Sequence, residues 1–155
     1  SLLVILIDAL KAVAACALGR WLFSAQGFGL EGAVLAALAV GIGHDFPALL
    51  GFHGGKGIVC GFMTALVTDW RIGLILLALF AVTYLSTKYV SLASLLCAVG
   101  FLVLFPLFYP GKSLVILLSA VMALLAIFLH RENLKRLLKG QERKTDFFQK
   151  KGTEE

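Results

Sequence analysis

The sequence predicts an all-α, polytopic membrane protein with about six transmembrane helices. Hydrophobic residues occupy 60% of its 155 positions and charged residues only 15%, a balance outside the range of ordinary soluble domains. The apolar residues form continuous runs without the alternation that is typical of membrane β-strands. Because backbone polar groups inside a bilayer need internal partners, such runs are expected to be helices.

Six apolar runs, separated by glycine, proline or charged residues, define the predicted helices. Five are close to the length that crosses a bilayer, whereas the third is short. In order they cover roughly residues 2–22, 31–50, 58–68, 72–87, 91–109 and 113–130. After them, residues 131–139 carry cations on one side of a helix and leucines on the other, which indicates an amphipathic segment lying on the membrane surface.

The basic residues predict the orientation in the membrane. Eight of the fourteen Lys and Arg residues follow His130, and these residue types accumulate on the cytoplasmic side. We therefore expect a cytoplasmic C-terminus, with Lys56 and Lys88 on the same side when the spans are counted backward. The opposite side is expected to hold Arg20, Arg71 and Lys112.

The first apolar run contains two charges and opens without a charged flank. Asp8 and Lys11 interrupt it, which argues against a signal peptide, and their i, i+3 spacing predicts a buried structural ion pair. The same count puts Ser1 in the cytoplasm, so we expect the chain to lack an N-terminal portion. A transmembrane domain is then predicted for residues 1–140 and a frayed, polar cytoplasmic tail for residues 141–155.

Cysteine spacing and net charge limit the possible partners. Cys16, Cys60 and Cys97 lie in apolar runs without a Cys-x-x-Cys pattern, so they are expected to be core thiols rather than disulfide or metal ligands. The net charge of +5 is concentrated in the tail, where anionic lipid headgroups are a better partner than nucleic acid. We expect membrane lipid contact, and no cofactor, metal ion or nucleic acid.

A four-glycine loop carries the most chemical information. Residues 51–57 read Gly-Phe-His-Gly-Gly-Lys-Gly. Glycines allow backbone N–H groups to converge on an anion beside a helix N-terminus, and Lys56 adds a positive charge. The Walker A pattern fails because Leu50 and Gly57 stand where it requires Gly and Ser or Thr. A plain glycine-rich turn between two spans remains the alternative.

Directly before this loop, a polar pair ends the second run. His44 and Asp45 are followed two positions later by Pro47, which stops or kinks a helix. Adjacent helical residues do not face each other, so a relay between His44 and Asp45 is not expected. His44 either bonds a backbone carbonyl near the interface or faces a ligand.

Two further cytoplasmic junctions carry polar residues at helical spacing. Lys88, Ser91 and Ser94 are aligned at i, i+3 where the fifth run begins, either as a cap and a snorkelling cation or as a substrate-facing set. His130 and Asn133 share the same spacing where the last run ends. An imidazole and an amide can bond phosphate oxygens or orient a hydroxyl.

In order and spacing these motifs, at residues 43–47, 52–57, 88–94 and 130–140, resemble those of the PlsY family. Its members are bacterial inner-membrane enzymes that transfer a fatty acyl group from acyl phosphate to the 1-hydroxyl of glycerol 3-phosphate, in phospholipid synthesis. The resemblance implies a seven-helix fold, an active site facing the cytoplasm, and lysophosphatidate and phosphate as products.

The resemblance also implies roles for single residues. Lys56, His130 and Asn133 are expected to be catalytic, and Glu132 and His44 to be structural. The residues expected to bind phosphate or substrate are Gly54, Gly55, Gly57, Lys88, Ser91 and Ser94.

Direct acyl transfer is the expected mechanism. Acyl phosphate is a mixed anhydride whose leaving phosphate needs only charge stabilisation. The sequence shows no serine triad, no metal-ligand spacing and no His-x-x-x-x-Asp signature, so substrate phosphate or His130 would take the hydroxyl proton.

Three departures from the family pattern leave alternatives open. The first family motif, Ser-Gly-Asn-x-Gly-Ala-Thr-Asn followed by Arg, has no counterpart in the chain; His53 stands where lysine is usual, and Ala12 where glycine is usual. The alternatives are an inactive truncated member, or a non-catalytic membrane protein such as an anion transporter or lipid-facing scaffold. Transporters often have duplicated halves, and none is visible.

Overall fold

The computed structural model describes residues 2–45 and 58–145, and within these ranges it contains seven helices and no strand. The first six helices match the six predicted runs, and α7 is the predicted amphipathic segment. The all-α prediction is therefore confirmed. The helices are α1 (Leu2–Ser24), α2 (Gly29–Asp45), α3 (Ile58–Thr68), α4 (Trp70–Thr87), α5 (Val90–Phe108), α6 (Ser113–Leu129) and α7 (Arg131–Leu138).

The helices differ in how readily they cross a bilayer alone. In the described part of the chain, α4 and α5 are each long and apolar enough to cross a bilayer. The helices α6 and α7, if they form one span with a bend of 54°, give a third. The helix α1 is long enough but carries Asp8, Lys11 and Arg20, and α3 has only 11 residues. These two helices, one interrupted by charges and the other short, therefore depend more on packing against their neighbours.

The closest helix crossing is between α1 and α2, at two glycines. A Cβ atom added to Gly19 would lie 2.2 Å from the carbonyl oxygen of Gly32, and one added to Gly32 would lie 2.3 Å from that of Gly19. Small residues are enriched where membrane helices approach closely, because they let the backbones touch. The larger core cluster lies elsewhere, around Ile72, Leu76 and Phe105.

One end of the bundle, called the Asp69 end, is tied together by polar contacts. The Asp69 carboxylate caps α4 by accepting from the backbone N–H of Arg71 at 2.9 Å and from its guanidinium at 2.8 and 3.0 Å. The Tyr109 hydroxyl donates to the same carboxylate at 3.0 Å. Hydrogen bonds from Arg71 outweigh burial and lower the pKa of Asp69 from 3.8 to about 2.

Two other cations lie at the Asp69 end. Lys112 binds Glu31 at 3.0 Å, and the Arg20 guanidinium donates to the carbonyl oxygens of Val67 and Thr68 at 3.2 and 3.4 Å. These contacts connect α1, α2 and α3 with the turn after α5. The prediction that Arg20, Arg71 and Lys112 share one side is confirmed.

Candidate active site

The opposite end of the bundle, called the His130 end, contains the turn from α4 to α5. Lys88 ends α4 with a left-handed backbone, φ 62°, and its N–H donates to the carbonyl oxygen of Tyr84 at 2.7 Å. Tyr89 is the N-cap of α5 and makes no side-chain capping bond. Neither serine caps α5, whereas Lys88 is the C-cap residue of α4.

Both serines of this junction are buried. The Ser94 hydroxyl, 1% exposed, donates to the carbonyl oxygen of Val90 at 2.8 Å. Ser91 is 7% exposed, and its hydroxyl oxygen makes no hydrogen bond of normal geometry within the part of the chain that the structure describes. Buried polar groups are nearly always paired, so Ser91 is a candidate for binding a polar ligand.

His130 lies at the second turn of this end, between α6 and α7. It is 3% exposed, and its Nδ1 lies 2.8 Å from the carbonyl oxygen of Ala126. Because a carbonyl oxygen can only accept, Nδ1 carries a proton and Nε2 is the nitrogen that can exchange one. The i, i+4 contact thus fixes the ring and its tautomer.

Asn133, on the first turn of α7, is connected to the preceding helices through Glu142. The Asn133 amide donates to one carboxylate oxygen of Glu142 at 2.7 Å, and Arg136 Nε donates to the other at 2.8 Å. Burial would raise the pKa of Glu142, but hydrogen bonds with Asn133, Ser91 and Arg136 outweigh it and lower that pKa from 4.5 to about 2. The Ser91 hydroxyl thus favours the charged carboxylate from beyond normal hydrogen-bonding geometry.

Sequence reasoning missed Glu142, because it assigned residues 141–155 to a frayed tail. That assignment is wrong for residues 141–145. The Thr145 N–H donates to the carbonyl oxygen of Lys88 at 2.9 Å, and the Tyr84 hydroxyl donates to that of Thr145 at 2.9 Å. The sequence did carry a signal, because a glycine, Gly140, ends the amphipathic segment and Glu142 follows it as one acidic residue among cations. In the structure Gly140 has a φ of 66° and turns the chain back after α7.

His44 belongs to a separate polar network between α1 and α2. Lys11 Nζ lies 2.6 Å from an Asp8 carboxylate oxygen and 2.9 Å from His44 Nδ1, and His44 Nδ1 lies 3.3 Å from that same oxygen. The predicted Asp8–Lys11 ion pair is confirmed, and His44 extends it. His44 Nδ1 therefore contacts charged side chains of α1, not a backbone carbonyl near the interface.

Glu132 is exposed and forms an ion pair with Lys135 at 2.9 Å on the surface of α7. The sequence predicted that Glu132 is a structural partner of nearby cations, and its ion pair with Lys135 agrees with that prediction. The three cysteines are free thiols, and the described residues contain no group of three or more His, Cys, Asp or Glu side chains that could hold a metal ion.

Comparison with known proteins identifies the family. The sequence model of the glycerol-3-phosphate acyltransferase family matches residues 1–140. The chain belongs to this family. It is 41% identical over 138 residues to the glycerol-3-phosphate acyltransferase of Thermoanaerobacter sp. (strain X514), covering 89% of this chain and 67% of the relative. The Prochlorococcus marinus (strain MIT 9301) enzyme is 37% identical over 146 residues, covering 93% of this chain and 72% of the relative.

Solved acyltransferase structures show the same fold. The crystal structure of PlsY, an integral membrane glycerol 3-phosphate acyltransferase, in its glycerol 3-phosphate form has a TM-score of 0.80 and 29% identity. The match covers 94% of this chain and 70% of that one. The lysophosphatidic acid form of PlsY gives a TM-score of 0.79. The resemblance to PlsY is confirmed, and the acyltransferase chain spans about two thirds of the length of its first relatives.

Part of the acyltransferase site predicted from the sequence lies outside the described residues. Gly54, Gly55, Lys56 and Gly57 belong to residues 46–57, as does Pro47. Their assignment as a phosphate cradle rests on the sequence alone. The described members, by contrast, gather at the His130 end: Lys88, Ser91, Ser94, His130 and Asn133.

Proposed function

We propose that this acyltransferase transfers a fatty acyl group from acyl phosphate to the 1-hydroxyl of sn-glycerol 3-phosphate, releasing lysophosphatidate and phosphate. The observation that carries the proposal is the polar cluster at the His130 end, in which Ser91, His130 and Asn133 are buried and the Glu142 carboxylate accepts from Asn133. Buried polar groups at a membrane boundary are expected to serve function. The glycerol 3-phosphate and lysophosphatidic acid forms of PlsY, which has this fold, support the same substrate class.

The charges at the His130 end suit a phosphorylated substrate. Lys88 is half-buried beside the cluster, with its ammonium 5.6 Å from the centroid of the Tyr84 ring, and Lys56 precedes α3 by one glycine. Two phosphate-bearing substrates need several cations and N–H donors at one place. In this proposal Lys88 and Ser91 bind glycerol 3-phosphate, while Lys56 and the N–H groups of Gly54, Gly55 and Gly57 bind the phosphate of the donor.

The proposed reaction is a direct transfer. The 1-hydroxyl oxygen attacks the acyl carbon, a new ester C–O bond forms, and the bond between the acyl carbon and the phosphate oxygen breaks. The hydroxyl proton passes to His130 Nε2 or to a substrate phosphate, and Lys56 stabilises the departing phosphate. Holding two anions side by side at the membrane surface supplies much of the acceleration.

A location in the bacterial inner membrane, with the His130 end in the cytoplasm, completes the proposal. In the described residues this end holds Lys88, Arg131 and the cations of residues 135–144, whereas the Asp69 end holds three. The helix α7 exposes Leu138 together with Lys135 and Arg136, and such a mixture of apolar and basic side chains suits an anionic lipid surface.

The test is acyl transfer by the full-length protein in proteoliposomes, with labelled glycerol 3-phosphate and acyl phosphate. We expect Lys56→Ala and His130→Ala each to lower kcat/KM by about 10²-fold or more. Lys135→Ala is the matched control, because its ammonium lies on the exposed side of α7. Activity that survives both test substitutions, or equal use of an acyl thioester as donor, would refute the proposal.

A further inference from the structure

A cavity of about 70 Å³ lies inside the bundle between α2, α3, α4, α5 and α6. Its walls are almost entirely apolar. The side chains that form them include Leu38, Phe62, Leu76, Phe101 and Met122. Two lining residues are polar, Asp45 and Ser94, and both are buried.

The two polar residues lie at the mouth of the cavity. Asp45 is the last residue of α2, whose other terminus lies at the Asp69 end through the Glu31–Lys112 pair. Ser94 is one turn from Ser91 along α5. Leu38 and Phe101 lie seven residues deeper on the same two helices, a distance of about 10 Å. The cavity therefore runs from the polar cluster into the apolar interior.

The mouth also contains an unsatisfied polar atom. Asp45 is 6% exposed, and its Oδ1 has no hydrogen-bond partner among residues 2–45 and 58–145. A buried acceptor without a donor is rare in proteins, so this oxygen is expected to meet a donor from a ligand. The hydroxyl groups of a glycerol unit are such donors.

Two glycines keep the cavity wide. Gly41 on α2 and Gly61 on α3 both line it, and a Cβ added at either would meet no heavy atom within 4 Å. A volume of this size holds on the order of five water-sized groups, which corresponds to a short alkyl segment. Apolar walls favour such a segment over water.

We infer that this cavity holds the first part of the acyl chain, with the glycerol end at Asp45, and that Gly41 and Gly61 determine which chains fit. The inference rests on the proposed function, because it assumes a fatty acyl donor. It assigns substrate specificity to two positions outside the polar cluster. A bulky residue at either would shorten or narrow the space below Ser94.

The primary test compares Gly41→Leu with Gly43→Leu. Both glycines lie on α2 with open space around an added Cβ, but Gly43 does not line the cavity. In competition between a long-chain and a short-chain acyl phosphate, we expect Gly41→Leu to reduce the long-to-short ratio of kcat/KM by about tenfold or more. Gly43→Leu should keep the ratio of the unsubstituted protein, and Gly61→Leu should repeat the effect from the facing wall.

A second measurement needs no substitution. Cys97 also lines the cavity, so long-chain lysophosphatidate should slow its alkylation by a small maleimide, whereas glycerol 3-phosphate should not. Peptide mass spectrometry reads the rate for each cysteine separately. An unchanged ratio in a folded Gly41→Leu protein, or equal alkylation of Cys97 with and without the lipid, would overturn the inference.

The two proposals fail in different ways. If the unsubstituted protein uses an acyl thioester and no acyl phosphate, the proposed donor is wrong, and the same chain-length comparison with the thioester still tests the cavity. If it uses acyl phosphate and Gly41→Leu retains its chain preference, the cavity inference alone is wrong.

Discussion

At the scale of single residues, the carboxylate of Glu142 orients the polar cluster. Its two oxygens accept from Asn133 and Arg136, both on α7, and Ser91 of α5 contributes to keeping it charged. Hydrogen bonds to a charged group are shorter and stronger than neutral ones. Glu142 therefore holds the Asn133 amide, and Thr145, three residues on, joins the same segment to the carbonyl oxygen of Lys88. We do not assign Glu142 a chemical step.

Replacing Glu142 tests this positioning role. We expect Glu142→Ala to reduce kcat by about tenfold, because the Asn133 amide loses its partner, and to lower Tm by about 2–4 °C. Glu142→Gln should recover part of kcat, since its amide oxygen still accepts from Asn133. Acyl-transfer kinetics and thermal unfolding in detergent measure the two effects.

The control for Glu142 is Glu132→Ala, which removes a carboxylate that is exposed on α7 and forms an ion pair with Lys135. It should leave kcat and Tm close to those of the unsubstituted protein. A purely structural role for Glu142 would be indicated if kcat stayed constant while Tm fell, or if Glu142→Gln matched Glu142→Ala in kcat.

At the scale of helices, the crossing of α1 and α2 depends on the absence of side chains at Gly19 and Gly32. A Cβ atom added at either glycine would lie only 2.2 or 2.3 Å from the backbone carbonyl oxygen of the other. Real Cβ atoms do not approach a backbone oxygen this closely, so a side chain at either position would force the helices apart. The Asp8–Lys11–His44 network, which lies between the same two helices, would be displaced with them.

Gly32→Ala should therefore lower stability, with overpacking that costs about 1–3 kcal/mol. Gly43→Ala is the matched control on the same helix, since its Cβ meets nothing within 4 Å; it should be neutral or slightly stabilising because alanine favours helix. Thermal unfolding of both variants in the same detergent decides the matter. Equal Tm values would contradict the close crossing.

The helices were predictable to different degrees. Long apolar runs identified the helices α1 to α6, because that signal is local. The start of α4 at Trp70 rather than 72 follows from the Asp69 cap, which the apolar pattern ignores. His130 and Asn133 were identified by their spacing, whereas Glu142 depends on a return of the chain after Gly140, and no local pattern encodes that contact.

At the scale of the whole molecule, one carboxylate with a low pKa stabilises each end. The pKa of Asp69 lies at about 2 at one end, and that of Glu142 at about 2 at the other. A carboxylate whose pKa is lower in the folded than in the unfolded state adds stability above the unfolded value. That stability is lost as the pH falls toward the folded value.

The expected contribution of these two carboxylates is a Tm that falls between about pH 4.5 and 2. Asp69→Asn should lower Tm at pH 7 and flatten this decline, because the substituted amide does not titrate. Thermal unfolding in detergent across the pH series provides the measurement. A Tm that rises as the pH falls from 4.5 to 2 would be the opposite sign and would contradict both ion-pair arrangements.

The backbone of Lys88 has a consequence for how this position can vary. It is the one non-glycine residue with a positive φ in the described part of the chain, and a left-handed backbone costs a residue with a Cβ about 1–2 kcal/mol. Stability alone would select glycine or asparagine at such a site. In the proposed function the Lys88 ammonium binds substrate, so the lysine side chain is held at this position at a cost of about 1–2 kcal/mol to the fold.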